Sequence, residues 1–303
     1  MILQLFVVDD YLGNYFAWII DWVLMPNLLI KFVGNEMSRN KYSNIISITS
    51  KKRFEIKYDN IVNYSIVKNK KIIAIIPTYN EELSIKKTCT DLIKHHPNID
   101  ILVVNDSSTD NTAKIVESMS SVKLITSPIN LGIGGAVQLG LKFAYKNNYD
   151  VAFQFDGDGQ HRANEFDKLL NRLEDDASDI AIGSRFMFND KTNFRSSFLR
   201  RLGINFFAML ITFLIRKKIT DPTSGFRAFN KKAIAVFSKN YPFDFPEPEV
   251  IIIAKKKKLN ISEVFVKMNE REFGVSSISP LKSVKYMFKV TMAILLAFFR
   301  ENV

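Results

Sequence analysis

The sequence holds one cysteine, Cys89, among 303 residues. No internal disulfide can form, which excludes a disulfide-built secreted scaffold and fits a reducing compartment. Histidine is nearly as scarce: His95, His96 and His161 are too few and too scattered for a zinc site. Long apolar runs are missing as well. A spanning helix needs about 20 apolar residues with few charges, yet Phe16–Val33 is interrupted by Asp21, Pro26 and Asn27, and the run INFFAMLITFLI is 12 residues. The start, MILQLFVVDDYLG, has no basic leading stretch and no clear cleavage site, so no signal peptide is expected. There is no P-loop pattern, internal repeat or low-complexity tract. Acid is in deficit: 31 Asp and Glu stand against 42 Lys and Arg, a net charge of +11.

That imbalance calls for an anionic partner. The 25 phenylalanines sit largely in apolar stretches beside basic clusters. This pairing favours a membrane surface over nucleic acid, which would ask for stacking aromatics amid the charge. Hydrophobic residues make up 47% of the chain, enough for a full core.

Three parts are expected: an apolar segment and linker of unknown role over 1–70, an α/β catalytic domain over 71–275, and an amphipathic helix over 276–303. In the first, Phe16–Val33 reads as an interfacial or partner-binding segment, the alternatives being a spanning helix, an unstructured leader or a misassigned start. From Lys71 the pattern turns regular. KIIAIIP, IDILVVND, VKLIT, DVAFQF and DIAIGS read as strands, with helices over Glu81–His95, Asp110–Met119 (Asp110 as N-cap) and Gly132–Asn147 between the first four. Such alternation means a mostly parallel, Rossmann-like sheet with helices on both faces. Ligands of such sheets bind at the carboxyl ends of strands, and PTYNEE, NDSSTD and DGDGQH all fall there.

The stretch Val151–His161, VAFQFDGDGQH, carries the sharpest signal. Asp156 and Asp158 share a side of the extended chain, and Gly157 and Gly159 let the backbone bend so that both acids and Gln160 can face one point. Three hard oxygen ligands at a strand end suit Mg²⁺ or Mn²⁺ sharing its remaining positions with a phosphate. A calcium loop of the EF-hand type is excluded, since its sixth and twelfth positions hold His161 and Asp167. NLGIGG is not a dinucleotide fingerprint, because Val137 replaces the last glycine. His161 is expected to orient Gln160 or the metal loop, and Cys89 to be buried and inert.

Two further stretches are apolar with basic ends. Phe194–Lys218 is flanked by Arg195, Arg200 and Arg201 and by Arg216, Lys217 and Lys218, and the chain closes on YMFKVTMAILLAFFR. Both read as in-plane membrane helices whose cations meet lipid phosphates, the alternative being helices that simply pack on the core.

IIAIIPTYNEE, VVNDSSTDNT, NLGIGGAVQLG, FQFDGDGQH, AIGSRF, ITDPTSGFRAFN and NEREFGVSSI follow one another in an order that resembles family 2 glycosyltransferases of the GT-A fold. More narrowly, the set is similar to polyprenyl-phosphate glycosyltransferases of the dolichyl-phosphate mannose synthase type, and within these to bacterial undecaprenyl-phosphate N-acetylglucosamine or glucose synthases serving cell-surface polysaccharide assembly. The resemblance covers about residues 71–300. It implies that Pro77, Tyr79, Glu81 and Asp106 hold the nucleotide, that Asp156, Asp158 and Gln160 hold the metal on the donor diphosphate, and that Gly134 eases a helix start near the donor sugar. The acceptor side would be Arg185, Asp221, Ser224, Arg227 and Arg271, with Asp156, Asp158, Arg185 and Asp221 catalytic. Asn105 departs from the pattern, many relatives having aspartate there, and so does Phe273, where close relatives more often have glycine.

The implied reaction is an inverting transfer from a nucleoside-diphosphate sugar, UDP-N-acetylglucosamine or UDP-glucose, to polyprenyl (undecaprenyl) phosphate at the cytoplasmic face of the cell membrane. A small membrane partner or a homo-oligomer is compatible with it; nucleic acid is not. The alternatives are transfer to a hydroxyl of a lipid-linked saccharide, with Asp221 as base, and a non-catalytic membrane-bound scaffold that kept the fold.

Overall fold

Isoleucine and valine runs make the centre of the molecule. In the computed structural model, which describes residues 70–187, 198–269 and 280–300, β1 (Ile72–Thr78) is buried at every position, as befits a strand covered on both faces. Its odd residues Ile73 and Ile75 point to one side and Ile72, Ala74 and Ile76 to the other, each joining a separate core. After β1 come α1 (Ile85–His95), β2 (Asp100–Asn105), α2 (Thr112–Glu117), β3 (Val122–Thr126), α3 (Gly132–Lys146) and β4 (Val151–Gln154). Then follow a 3₁₀ turn (Ala163–Glu165), α4 (Phe166–Asp175), β5 (Ile180–Ser184), α5 (Phe198–Ile215), β6 (Arg227–Asn230), α6 (Lys231–Phe237), α7 (Pro246–Lys256), β7 (Ile261–Phe265) and α8 (Pro280–Phe299).

The described strands form one sheet in the order β3-β2-β1-β4-β6-β5-β7. All neighbours are parallel except β6, which runs against both β4 and β5. Helices α3, α5, α6, α7 and α8 contribute to one core, and α1, α2 and α4 to the other. The α/β class and the helices on both faces therefore hold. Between β4 and β5 lies β6, four residues within ITDPTSGFRAFN that the sequence reading did not assign to a strand.

Two helix starts differ from expectation. α1 begins at Ile85 rather than Glu81, and the Glu81 and Glu82 N–H groups donate across to Thr112 Oγ1 (2.9 Å) and Asp110 Oδ2 (3.1 Å). α2 begins at Thr112, yet Asp110 still serves its start: its Oδ1 accepts from the Thr112 N–H at 2.9 Å.

The two apolar-and-basic stretches fall on α5 and α8, which meet where Gly203 lies against Met287. Each helix is apolar on two sides. Phe207, Ile211 and Ile215, with Val290 and Ile294, face the core. Leu202, Phe206, Met209 and Phe213 on α5, and Phe288, Met292, Leu296 and Phe299 on α8, face outward; their spacing is that of one helix stripe. Among the described residues no helix is long and apolar enough to cross a membrane. α8 is tied to α7 at its far end, where Lys256 Nζ donates to the carbonyls of Ala297 (2.8 Å) and Arg300, the ammonium sitting on the negative end of the helix dipole. The expectations for residues 1–69, for Arg195 and for Phe273 lie outside the described residues.

Candidate active site

At the carboxyl edge of the sheet, the segments following β1, β2 and β4 enclose a cavity of about 270 Å³. Pro77, Thr78, Tyr79 and Glu81 line it from β1, Asp106 from β2, Asp156 to Asp158 from β4, Ile133 and Ala136 from α3, and Glu247 from the first turn of α7. Six of the expected site residues thus share one space: Pro77, Tyr79, Glu81, Asp106, Asp156 and Asp158.

The first two loops brace each other. Asn80, held at a left-handed φ of 56°, accepts from the Thr109 N–H with its Oδ1 (2.8 Å) and donates its own N–H to Ser108 Oγ (3.0 Å). Glu82 Oε2 accepts both the N–H and the side-chain amide of Asn111, each at 3.0 Å. Tyr79, half exposed, is thereby presented on a fixed loop. Asp106 is buried, and its Oδ1 accepts from the Leu131 N–H (2.6 Å), which anchors the start of α3 beside the cavity. Asn105 is also buried but turned inward: its Oδ1 accepts the Ser108 N–H (3.2 Å) and its amide reaches Thr126 Oγ1 (3.4 Å). The departure at this position therefore falls on a side chain that holds the loop, while its neighbour Asp106 lines the cavity.

The loop after β4 is folded tightly. Gly159 has a φ of 77°, the region glycine enters without strain. Asp158 Oδ1 accepts the Gln160 N–H at 3.0 Å, and Thr88 Oγ1 donates to the Gly157 carbonyl at 3.2 Å. Gly225, in the turn before β6, leaves the room that Asp156 occupies: a Cβ there would stand 2.9 and 3.1 Å from the two carboxylate oxygens. His161 is buried beneath the loop, and burial pushes its pKa down to about 4, with Asp158 pulling the other way. Gln160 contributes its backbone to this loop; its side chain is not part of the cavity lining.

Five carboxylates line the cavity, and among the described residues no lysine or arginine does. Glu247 shows the strain of that crowding. Burial raises its carboxyl above the usual range, with the charge on Arg227 opposing and that on Asp156 adding to the effect. A divalent cation suits such a set. Among the described residues no three His, Cys, Asp or Glu side chains converge closely enough to cage an ion by themselves. Two aspartates that leave the remaining positions to a phosphate-bearing ligand is the pattern hard cations such as Mg²⁺ favour.

The acceptor-side residues are placed differently. Arg185 and Asp221 form a two-point pair, Nε to Oδ2 at 2.7 Å and Nη2 to Oδ1 at 2.8 Å, with the Asp221 side chain fully buried and that of Arg185 nearly so. Thr223 Oγ1 adds a bond to Asp221 Oδ1 (3.2 Å). Glu263 on β7 braces the same turn, accepting the N–H groups of Thr220 (2.8 Å) and Asp221 (2.9 Å). Ser224 donates to the Gly183 carbonyl at 2.6 Å. Arg227, expected on the acceptor side, is bonded through Nε and Nη2 only, its buried Nη1 having no hydrogen-bond partner among the described residues. It is completely buried, and its guanidinium donates to the carbonyls of Ser224 (2.8 Å), Pro222 (3.3 Å) and Glu247 (2.6 Å), stitching the turn before β6 to the start of α7. Gly134 is likewise absent from the lining. A Cβ there would lie 2.2 Å from the Pro242 carbonyl oxygen, so the glycine permits α3 to pack against the chain at 242–243. Arg271 lies outside the described residues.

Glu247 is the lining carboxylate that sequence reading missed. It sits in PEPE at a helix start, where acids ordinarily read as complements to the helix dipole. Only its neighbour Asp156, 91 residues earlier in number, marks it as part of a site, and that proximity belongs to the fold.

Residues 73–237 match the family model described as Glycosyl transferase family 2. The chain is 36% identical over 227 residues to the UDP-N-acetylglucosamine--dolichyl-phosphate N-acetylglucosaminyltransferase of Methanococcus voltae, covering 69% of this chain and 89% of that protein. It is 30% identical to the polyprenol monophosphomannose synthase of Mycolicibacterium smegmatis, covering 72% and 84% respectively. Among solved structures, glucosyl-3-phosphoglycerate synthase from Mycobacterium tuberculosis, crystallised with Mn²⁺, UDP and glucosyl-3-phosphoglycerate, superposes with a TM-score of 0.54 at 17% identity, over 77% of this chain and 81% of that one.

Proposed function

Because the chain belongs to glycosyl transferase family 2 and has the GT-A fold, we propose that this glycosyltransferase moves one sugar from a nucleoside-diphosphate donor to a polyprenyl monophosphate at a membrane surface. The acid-lined cavity at the sheet edge carries the reading. A carboxylate-rich space that no described lysine or arginine lines repels a diphosphate unless a divalent cation accompanies it, and the named relatives are transferases that use carrier-lipid phosphates. UDP-N-acetylglucosamine and UDP-glucose are the donors we favour, with Mg²⁺ or Mn²⁺ as the ion.

In this mechanism Tyr79 offers a ring face to the base, and Glu81 and Asp106 offer acceptors to its N–H groups or to ribose hydroxyls. Asp156 and Asp158 hold the cation, which when bound neutralises the departing diphosphate. Glu247 offers an acceptor to a donor-sugar hydroxyl. The attacking atom is a phosphate oxygen. A phosphate monoester has a second pKa near about 6 and is largely dianionic at neutral pH, so no strong base is needed and catalysis rests on alignment and charge. The buried pair of Arg185 and Asp221 supports this over transfer to a hydroxyl: Asp221, the base such a reaction would call on, has both oxygens engaged. Direct displacement inverts the anomeric centre. The outward stripes of α5 and α8 offer a footing on lipid.

The test is a donor screen with radiolabelled UDP-N-acetylglucosamine, UDP-glucose and GDP-mannose, undecaprenyl phosphate in vesicles, and Mn²⁺. The expected product is an acid-labile lipid-linked sugar from one donor. Transfer only to a lipid-linked saccharide hydroxyl, with none to lipid phosphate, would overturn the reading.

A further inference from the structure

We propose that Arg201, in the first turn of α5, is a specificity-determining residue that receives the phosphate of the lipid acceptor; this rests on the reading of the chain as a polyprenyl-phosphate sugar transferase. Its guanidinium carbon stands 4.0 Å from the centroid of the Phe186 ring. The Arg185 guanidinium stands over the same ring at 5.1 Å. A ring quadrupole attracts each cation, but two cations gathered at one ring repel each other. A dianion beside them relieves that repulsion, and a phosphate monoester is largely dianionic at neutral pH. The two arginines differ in what they can still offer. Arg185 commits Nε and Nη2 to Asp221 and Thr223, at 2.7, 2.8 and 2.9 Å. Arg201 is half-buried, and among the described residues no carboxylate pairs with it. Stacking occupies the face of a guanidinium and leaves the N–H groups at its edge, the planar fork that holds a phosphate at two points.

The position joins two regions of the molecule. Phe186 lies just past the carboxyl end of β5: its N–H donates to Ser184 Oγ at 3.2 Å, and that oxygen meets Thr220 Oγ1 at 2.6 Å. The residue is therefore fixed to the sheet edge that also carries the acid cavity. Burial works against the Arg185 charge, and the charges of Asp221, Asp156 and Glu247 outweigh it, so this guanidinium is held above its ordinary pKa. Asp156 and Glu247 line the cavity. Arg185 thus adjoins both the cavity acids and Phe186, and Phe186 adjoins Arg201. On α5 the next residue, Leu202, is 56% exposed and begins the outward apolar stripe, and Gly203 lies against Met287 of α8. A lipid whose tail lies along that stripe brings its phosphate to Arg201, with the donor cavity beyond Arg185. The charges are complementary to the two substrates: acids for the cation-bound donor, an arginine fork for the anionic acceptor.

The probes are farnesyl phosphate and farnesol, one apolar chain with and without the phosphate, titrated calorimetrically into the full chain in the presence of UDP and Mn²⁺. Arg201→Gln should weaken farnesyl phosphate binding by about 10-fold or more, the scale of a lost hydrogen bond between charged groups, and leave farnesol and UDP binding unchanged. Arg201→Lys, which keeps the charge and loses the fork, should fall between the two. Phe186→Leu, which removes the platform, should weaken farnesyl phosphate by about 3-fold. In turnover with undecaprenyl phosphate in phosphatidylcholine vesicles, Arg201→Gln should raise the acceptor KM and leave the donor KM and thermal unfolding as in the parent. Equal loss of farnesyl phosphate and farnesol would mark a packing role, and loss of vesicle sedimentation in step with the acceptor KM would mark a cation that serves bilayer phosphates; either result overturns the proposal. If the wild type transfers no sugar to lipid phosphate, the reading of function falls and this proposal with it; if it does transfer, and Arg201→Gln binds farnesyl phosphate as tightly, only this proposal falls.

Discussion

The cavity and the wall behind it are built from the same kinds of residue but use their charges in opposite ways. Glu81, Asp106, Asp156, Asp158 and Glu247 line an accessible space into which no described lysine or arginine reaches. Behind them, Arg185 is paired with Asp221, Arg227 with three carbonyls, and Glu263 with two backbone N–H groups. One set faces an accessible space; the other is buried and holds the turn before β6 in shape. A charged residue in a motif can belong to either, and what decides is whether the fold opens it onto the cavity.

The comparison breaks most visibly at Asp158. Asp158→Ala should lower kcat/KM by roughly a thousandfold or more, since cation stabilisation of a leaving group is worth several kcal/mol, while thermal unfolding stays near that of the parent. Unchanged turnover would remove the cavity from the reaction. Arg227→Met probes the opposite side. It strands carbonyls of Ser224, Pro222 and Glu247 and should cost roughly 4 kcal/mol in urea unfolding, with the acceptor KM of the folded enzyme little changed. A raised acceptor KM at unaltered stability would return Arg227 to the lipid phosphate.

A third measurement follows from His161 in metal-free protein. Its folded pKa of about 4 lies below the ordinary 6.5 because burial disfavours the cation. Between those values the unfolded chain takes up a proton that the native one refuses. The contribution is therefore complete above about pH 6.5 and is lost on acidification toward about pH 4, by roughly 3 kcal/mol. The wild type should show this loss and His161→Gln should not; parallel pH profiles would mean the ring is protonated in the native state. The smallest effect is expected at Glu82, an acid beside the cavity whose carboxylate is engaged with Asn111. Glu82→Gln should cost about 1 kcal/mol or less and weaken UDP binding only a few-fold; a loss as large as that of Asp158→Ala would blur the line between the two sets.

The sequence made the donor half readable because each clue was local. PTYNEE, NDSSTD and DGDGQH are contiguous, and the runs before them are long enough to be strands. The other half depends on distant pairings. β6 is four residues, and its reversed direction shows only in pairings across the sheet: Val151 with Asn230 and Gln154 with Arg227 on one side, Ile180 with Phe229 and Ile182 with Arg227 on the other. Arg227 looked like a phosphate ligand because an arginine after a glycine turn offers the right fork; nothing in TSGFR says that its Nε and Nη2 turn to carbonyls. Glu247 was hidden for the converse reason, a helix-start acid being the commonest place to find one. α5 and α8 pack one side on the core and leave an apolar side facing out, so the core-packing reading describes half of each helix and the membrane reading of the other half stays a proposal.

Helix α7 begins at the cavity with Glu247 and ends where Lys256 clasps the last turn of α8. It is a strut, stiff over its eleven residues, with one end in the reaction chamber and the other on the segment whose outer side suits lipid. Were α8 to rest on a bilayer, α7 would be an element joining that seat to the cavity wall, and turnover in vesicles of differing lipid composition is the measurement that tests such a link.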